Sequence, residues 1–122
     1  MTFPRKYRNT PTEFQGRKYD SKAEAQRAAE LAILVKQDVI AYWMPQPSVE
    51  LAGLRYKPDF MVALHTGEIW FEDVKGMETQ RFRDIRKLWI TSGPPVRLRI
   101  LKKAGKRWNI EELCNKDNEV TK

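Results

Sequence analysis

Apolar and polar positions recur along this chain with different periods, and the periods divide it into elements. From Lys22 to about Lys36, alanines join Leu31, Ile33, Leu34 and Val35 to give strong helix formers and an apolar side. Ser21 stands where an N-cap belongs, and Glu24 follows three residues later, which is a capping box. The run "MPQP" (44–47) ends whatever follows that helix. Residues 48–52 read as a short strand. Residues 57–64, with Phe60, Met61, Val62 and Leu64, read as a stronger one that Pro58 admits at an edge or entry point. His65-Thr66-Gly67 is a turn, residues 68–75 form the returning strand of a hairpin, and Gly76 stops it. A second helix is expected from about Thr79 to Ile90, with Phe82, Ile85, Leu88 and Trp89 on one face and Arg81, Arg83, Arg86 and Lys87 largely off it. "SGPP" breaks the chain. "VRLRI" (96–100) then alternates strictly, with Val96, Leu98 and Ile100 inward and Arg97 and Arg99 outward. Gly105 marks a turn before a short strand or helix around Trp108 to Leu113.

The order helix, three strands, helix, strand predicts an α/β sandwich around a mixed sheet. Residues 1–19, basic and holding Pro4, Pro11 and Gly16, read as an arm with a short hairpin around Gly16. The domain proper is expected over 20–113 and a polar tail over 114–122.

The hairpin carries charge where an apolar residue is the ordinary choice. Side chains alternate along a strand, so Ile69, Phe71, Asp73 and Lys75 share one face while Trp70, Glu72 and Val74 share the other. A three-residue loop at 65–67 sets Leu64 opposite Glu68 and Asp59 opposite Asp73; a slip of one residue separates the two acids. In the direct register two carboxylates converge beside a lysine, and like charges so placed repel. Something positive must offset them. Lys75 is one charge, and a divalent cation held by carboxylate oxygens is the other natural candidate. The plainer reading is a solvated Asp73–Lys75 pair and an Asp59 that merely opens a strand.

Composition narrows the partners. Of 122 residues, 23 are Lys or Arg and 16 are Asp or Glu, a net charge of +7. The distribution is uneven: residues 81–107 hold ten basic residues against Asp84 alone, whereas 23–80 hold nine acids against five bases. A basic stretch interleaved with Phe82, Trp89 and Trp108 suits nucleic acid better than a membrane. No apolar run approaches the roughly 20 residues that span a bilayer, and the N-terminus lacks the apolar core of a signal peptide. Cys114 and His65 are each alone of their kind, which excludes an internal disulfide and a Cys/His zinc site and points to a reducing, cytoplasmic setting.

Pro58-Asp59, followed on the next strand by Asp73-Val74-Lys75, resembles the signature of the PD-(D/E)XK nuclease superfamily, whose restriction-endonuclease-like core is αβββαβ with a mixed central sheet flanked by helices. Glu24 in "SKAEAQRAAEL" stands where that family commonly carries a helix glutamate. The stretch "YKPDFMVAL…GEIWFEDVKG", with the basic helix and "VRLRIL" after it, is similar to phage endonuclease I-type junction-resolving enzymes and to small phage-encoded relatives, over roughly residues 12–103. The resemblance implies that Asp59 and Asp73 hold Mg²⁺, with Mn²⁺ as a substitute. It implies that Glu24 binds the metal directly or through water, that the Val74 carbonyl is a further ligand, and that Lys75 assists the attacking water. It also implies a metal-dependent endodeoxyribonuclease acting on branched or otherwise structured DNA, as a Holliday junction resolvase does. Two cuts per junction would require a homodimer.

Arg81, Arg83, Arg86 and Lys87 would then contact phosphates flanking the scissile bond, and Arg5, Lys6, Arg8, Arg17 and Lys18 would add a second strip. No sequence-reading module is present, so backbone- or shape-directed cleavage is expected, of DNA ahead of RNA. Two other classes stay open at this point: a nucleic-acid-binding module that does not cut, and an accessory subunit of a phage replication or recombination complex.

Overall fold

The structure is a computed structural model, and it describes residues 11–115. Arg5, Lys6 and Arg8 therefore lie outside the described residues, as does the tail beyond Asn115. Nine strands and two helices are formed within them: β1 Thr12–Phe14, β2 Arg17–Tyr19, α1 Lys22–Lys36, β3 Tyr42–Pro45, β4 Val49–Leu51, β5 Leu54–Tyr56, β6 Phe60–Ala63, β7 Ile69–Val74, α2 Gln80–Ser92, β8 Arg97–Ala104 and β9 Arg107–Leu113. Among them no helix is long and apolar enough to cross a membrane.

The central sheet has the order β3-β6-β7-β8-β9, antiparallel throughout except for the parallel β7–β8 pair. It is a mixed five-stranded sheet, and α2 makes the crossover that a parallel pair requires. β1–β2 and β4–β5 are separate two-stranded ribbons.

Both helices begin as their caps dictate. Ser21 Oγ accepts the Glu24 amide at 3.1 Å, and Thr79 Oγ1 accepts the Phe82 amide at 3.2 Å. α1 buries Ala25, Ala28 and Leu31, at three-residue spacing, against Phe60 and Val62 of β6 and Tyr19 of β2. α2 buries Phe82, Ile85 and Trp89 against Phe71, Leu98 and Ile100 on the opposite face. The sheet therefore has two cores, and the inward Leu98 and Ile100 of "VRLRI" serve the second of them. Arg97 pairs with Glu68 at 2.9 Å, and Arg99 lies 4.8 Å over the Trp70 ring.

Three expectations need correction. The strand expected at 48–52 is β4, but it pairs with β5 in a ribbon and does not enter the central sheet. The first strand of that sheet is β3, a segment for which the sequence pattern names no element. It is an edge strand of four residues with half its side chains exposed, so it shows no run of buried positions. The strand expected to begin at 57 begins at Phe60. Pro58 has no N–H to give to a ladder, and Asp59 uses its side chain elsewhere.

The hairpin expected around Gly16 is present. It is tied to the domain rather than extending from it: Tyr19 is buried, with its ring 6.1 Å from that of Phe60. The β4–β5 ribbon likewise packs inward, placing Leu51 and Tyr56 among Phe71, Phe82, Ile85 and Trp89.

Candidate functional site

β6 and β7 pair in the direct register: Phe60 opposes Glu72, Met61 opposes Phe71 and Ala63 opposes Ile69. The turn closes with the Leu64 amide on the Glu68 carbonyl at 2.9 Å. One more step along the same register sets Asp59 opposite Asp73 on the face that packs against α2. The Asp59 side chain crosses to β7, where Oδ2 accepts the Val74 amide at 2.8 Å. Asp59 thus replaces a ladder partner with a carboxylate oxygen and holds the ends of the two strands together.

Asp73 is buried, and three groups meet it. The Tyr56 hydroxyl, delivered by the β4–β5 ribbon, donates to its Oδ2. The Lys75 ammonium stands 3.3 Å from its Oδ1 and is held over the Phe82 ring at 4.4 Å. The third is the carboxyl of Asp59, opposite it in the β6–β7 register, and the charge of Asp73 pushes that carboxyl up. Glu24, at the first turn of α1, is 8% exposed. Its backbone amide completes the Ser21 half of the capping box, while its carboxyl turns to Asp59. The carboxyls form a chain, Glu24–Asp59–Asp73, with Asp59 in the middle.

The electrostatics follow from that chain. Burial first, then the charges of Asp73 and Glu24, push the Asp59 carboxyl well above the ordinary carboxylate range, against the opposing pull of the Val74 amide. Burial, with Asp20 next, raises Glu24 to about 7. Burial and the Asp73 charge raise the Tyr56 phenol, so it stays a donor. Three carboxyls thus converge where Lys75 supplies the one ammonium.

Two clefts open on this cluster. One, of about 610 Å³, lies on the α1 side between Lys22, Glu24 and Asp59 and reaches Val74, Lys75, Lys102 and Lys103. The other, of about 450 Å³, lies on the α2 side between Arg55, Lys57, Asp59 and Asp73 and reaches Lys75 and Arg81. Asp59, Lys75 and Thr79 border both. The donor set at their meeting is oxygen only, which suits a hard divalent cation and fits neither a soft nor a thiolate-bound metal. Among the described residues no three His, Cys, Asp or Glu side chains close around one point as a ready-made cage. The fit is to an ion held by two carboxylates, with water and substrate oxygens completing its shell, which is how Mg²⁺ is commonly bound.

The structure brings Glu24, Asp59, Asp73, Val74 and Lys75 together, and it disperses the basic residues expected to accompany them. On α2, Arg81 alone borders a cleft; Arg83 and Lys87 are exposed elsewhere on the helix. Arg86 is committed to other partners. It donates to both Glu78 oxygens at 2.9 and 2.6 Å and to Glu111 at 2.7 and 2.8 Å, so it clamps α2 to β9 and is not a free phosphate contact. Arg17 and Lys18 lie on β2, exposed, and border neither cleft; Arg17 reaches Gln46 at 3.4 Å.

Sequence reasoning missed Tyr56, Lys22, Arg55, Lys57, Lys102 and Lys103. Tyr56 stands two residues before Pro58, within the stretch that carries the motif, but no periodicity marks it. Only the packing of the ribbon shows its hydroxyl on Asp73.

The chain belongs to the family described as "Protein of unknown function (DUF1064)", whose family model matches residues 4–109. No curated protein and no solved structure matches it.

Proposed function

We propose that the chain is a metal-dependent nuclease of the PD-(D/E)XK type, hydrolysing phosphodiester bonds in DNA. The observation that carries the reading is the direct β6–β7 register, which sets Asp59 and Asp73 side by side on one face with the Lys75 ammonium at Asp73. Three further features support it. The elements of the central sheet and the two helices run α1, β3, β6, β7, α2, β8, in agreement with αβββαβ. Three carboxyls, Glu24, Asp59 and Asp73, gather around the single ammonium of Lys75. This cluster opens to two clefts with basic rims.

Asp59 and Asp73 would hold the cation, with Glu24 and the Val74 carbonyl beside them. A bound divalent ion there supplies Lewis acidity and lowers the pKa of a coordinated water. The chain's own residues do the rest. Tyr56 and Lys75 fix the Asp73 carboxylate from two sides. The Val74 amide fixes Asp59. Lys75, a compact charge at the mouth of both clefts, orients the attacking water and balances the phosphate's charge. Burial raises the carboxyls of both Glu24 and Asp59, with the charge of Asp20 adding to it at Glu24 and those of Asp73 and Glu24 at Asp59.

The substrate is proposed to be branched or otherwise structured DNA, since none of the described elements is a sequence-reading module. The test is a panel of labelled four-way junction, flap, duplex, single-stranded DNA and RNA, with Mg²⁺ or Mn²⁺ and with EDTA. Metal-dependent cutting of a DNA form by the wild-type chain, lost in Asp73→Asn while binding persists, is the expected result. Cleavage by Asp73→Asn at the wild-type rate removes the assignment.

A further inference from the structure

The carboxyl cluster is the meeting point of two clefts that differ in position and agree in chemistry. The α1-side cleft carries Lys22, Lys102 and Lys103 on its border, and the α2-side cleft carries Arg55, Lys57 and Arg81. All six are exposed. The acids of the two linings are Asp20, Glu24, Asp59 and Asp73, and Asp59 belongs to both. Moving from one cleft to the other, a ligand would meet cationic side chains, then the carboxyls with Lys75, then cationic side chains again. That sequence of charge repels a polyanion only at the centre, where the proposed cation would sit.

We infer that the two clefts form one continuous track for a single nucleic-acid strand, with Lys22, Lys102 and Lys103 holding backbone phosphates on one side of the scissile bond and Arg55, Lys57 and Arg81 holding them on the other. This rests on the nuclease reading for what happens at the centre, though not for the binding itself. Cavities of roughly 300–1,000 Å³ take ligands of small-molecule size, so each cleft has room for one or two nucleotides and not for a double helix. The track replaces the outer face of α2 as the binding surface. Arg86 is occupied there by two glutamates, and Arg83 and Lys87 border no cleft. Three of the six have local partners as well: Lys102 stands 3.1 Å from Glu78, Lys103 lies 4.7 Å over the Trp108 ring, and Arg81 donates to the Arg55 carbonyl at 3.4 Å. Contacts of that kind hold long side chains in place at a cleft edge without burying their charge.

The test is fluorescence anisotropy of a labelled single-stranded 20-mer DNA and its duplex against the wild-type chain in EDTA, over a range of salt. Three double variants are compared: Lys22→Ala/Lys103→Ala, Lys57→Ala/Arg81→Ala and, on the outer face of α2, Arg83→Ala/Lys87→Ala. Each neutralised phosphate contributes about 0.7 to the salt slope of single-strand binding, so each cleft pair is expected to flatten the slope by about 1.4 and the α2 pair to leave it unchanged. The duplex should bind more weakly than the single strand. A flattened slope in the α2 pair with both cleft pairs unaffected overturns the track, as does tighter binding of the duplex. If the cleft pairs lose binding but no substrate is ever cut, the track stands and the nuclease reading falls. If the wild-type chain binds no oligonucleotide, the track falls, and the nuclease reading is left to the cleavage panel.

Discussion

Glu72 and Asp73 are neighbours in sequence, and their side chains leave β7 on opposite faces into opposite circumstances. Glu72 is 0% exposed and fully answered: Arg27 of α1 donates to its two oxygens at 2.7 and 2.8 Å, and the Trp70 indole donates at 2.9 Å. That is a bidentate, charge-matched pair inside the α1 core. Asp73, 3% exposed, has a phenol and an ammonium on it, but also a second carboxyl opposite and a third beyond that. One buried acid has a complete set of donors. The other belongs to a group of three carboxyls around one ammonium, open to two clefts. The contrast separates a carboxylate that holds a helix in place from one that the proposed function assigns to a metal ion, and burial alone does not distinguish them.

The comparison breaks most sharply at Asp59. Asp59→Asn keeps an oxygen for the Val74 amide and resembles the proton-bearing carboxyl that burial favours, so the thermal midpoint without metal should be unchanged or raised. Metal-dependent cleavage should fall by a factor on the order of 10³ or more, because a lost ligand weighs more than the ~10–100-fold typical of the groups that orient ligands. A single-turnover assay beside a melting curve reads both.

Glu72→Ala should do the reverse. It strands the Arg27 guanidinium in the core, at a cost of about 3–5 kcal/mol, measured by urea unfolding. Whatever folded fraction remains should still cut. If Glu72→Ala left stability intact while abolishing cleavage, the division between the two faces of β7 would be wrong.

Tyr56→Phe is a finer probe. It removes only the donor that orients Asp73, and the ring stays packed against Trp89 at 6.2 Å. Mn²⁺ affinity should weaken roughly 10–100-fold with little change in the melting curve.

The smallest effect concerns a charged network remote from both acids. Arg86 first, with Lys102 assisting, holds Glu78 down to about 2. A lowered carboxyl contributes stability above its unfolded pKa and loses it as pH falls through the folded one. The difference in melting temperature between wild type and Glu78→Gln should therefore be constant near neutrality and shrink between about pH 4.5 and pH 2. Its size should be on the order of 1 kcal/mol after solvent screening.

Much of this site was legible before any coordinates. The α1 run was read as Lys22 to about Lys36, and the helix spans Lys22–Lys36, because Ser21 caps it and its apolar spacing is regular. A three-residue turn at 65–67 put Asp59 opposite Asp73 as one of two registers open to the sequence, and the β6–β7 pairing selects it. The β4–β5 ribbon was not legible. Its two-residue turn, Ala52-Gly53, has φ of +49° and +87°. Hairpin turns of this kind favour Asn or Asp at the first position, and an alanine there gives no signal. Arg86 was misassigned for a related reason. On a helical wheel it belongs with Arg83 and Lys87, and nothing local reveals that Glu78 and Glu111 converge on it from a loop and a distant strand.

The sequence by itself determined which acids share a strand face and where the helices start, since both depend on periods and caps spanning only a few residues. The tertiary structure decided which cations are free, which tyrosine meets Asp73 and where the clefts run. Those depend on side chains 17 to 45 positions apart, such as Tyr56 with Asp73, Arg86 with Glu111 and Arg27 with Glu72, and only packing brings them within a hydrogen bond of each other.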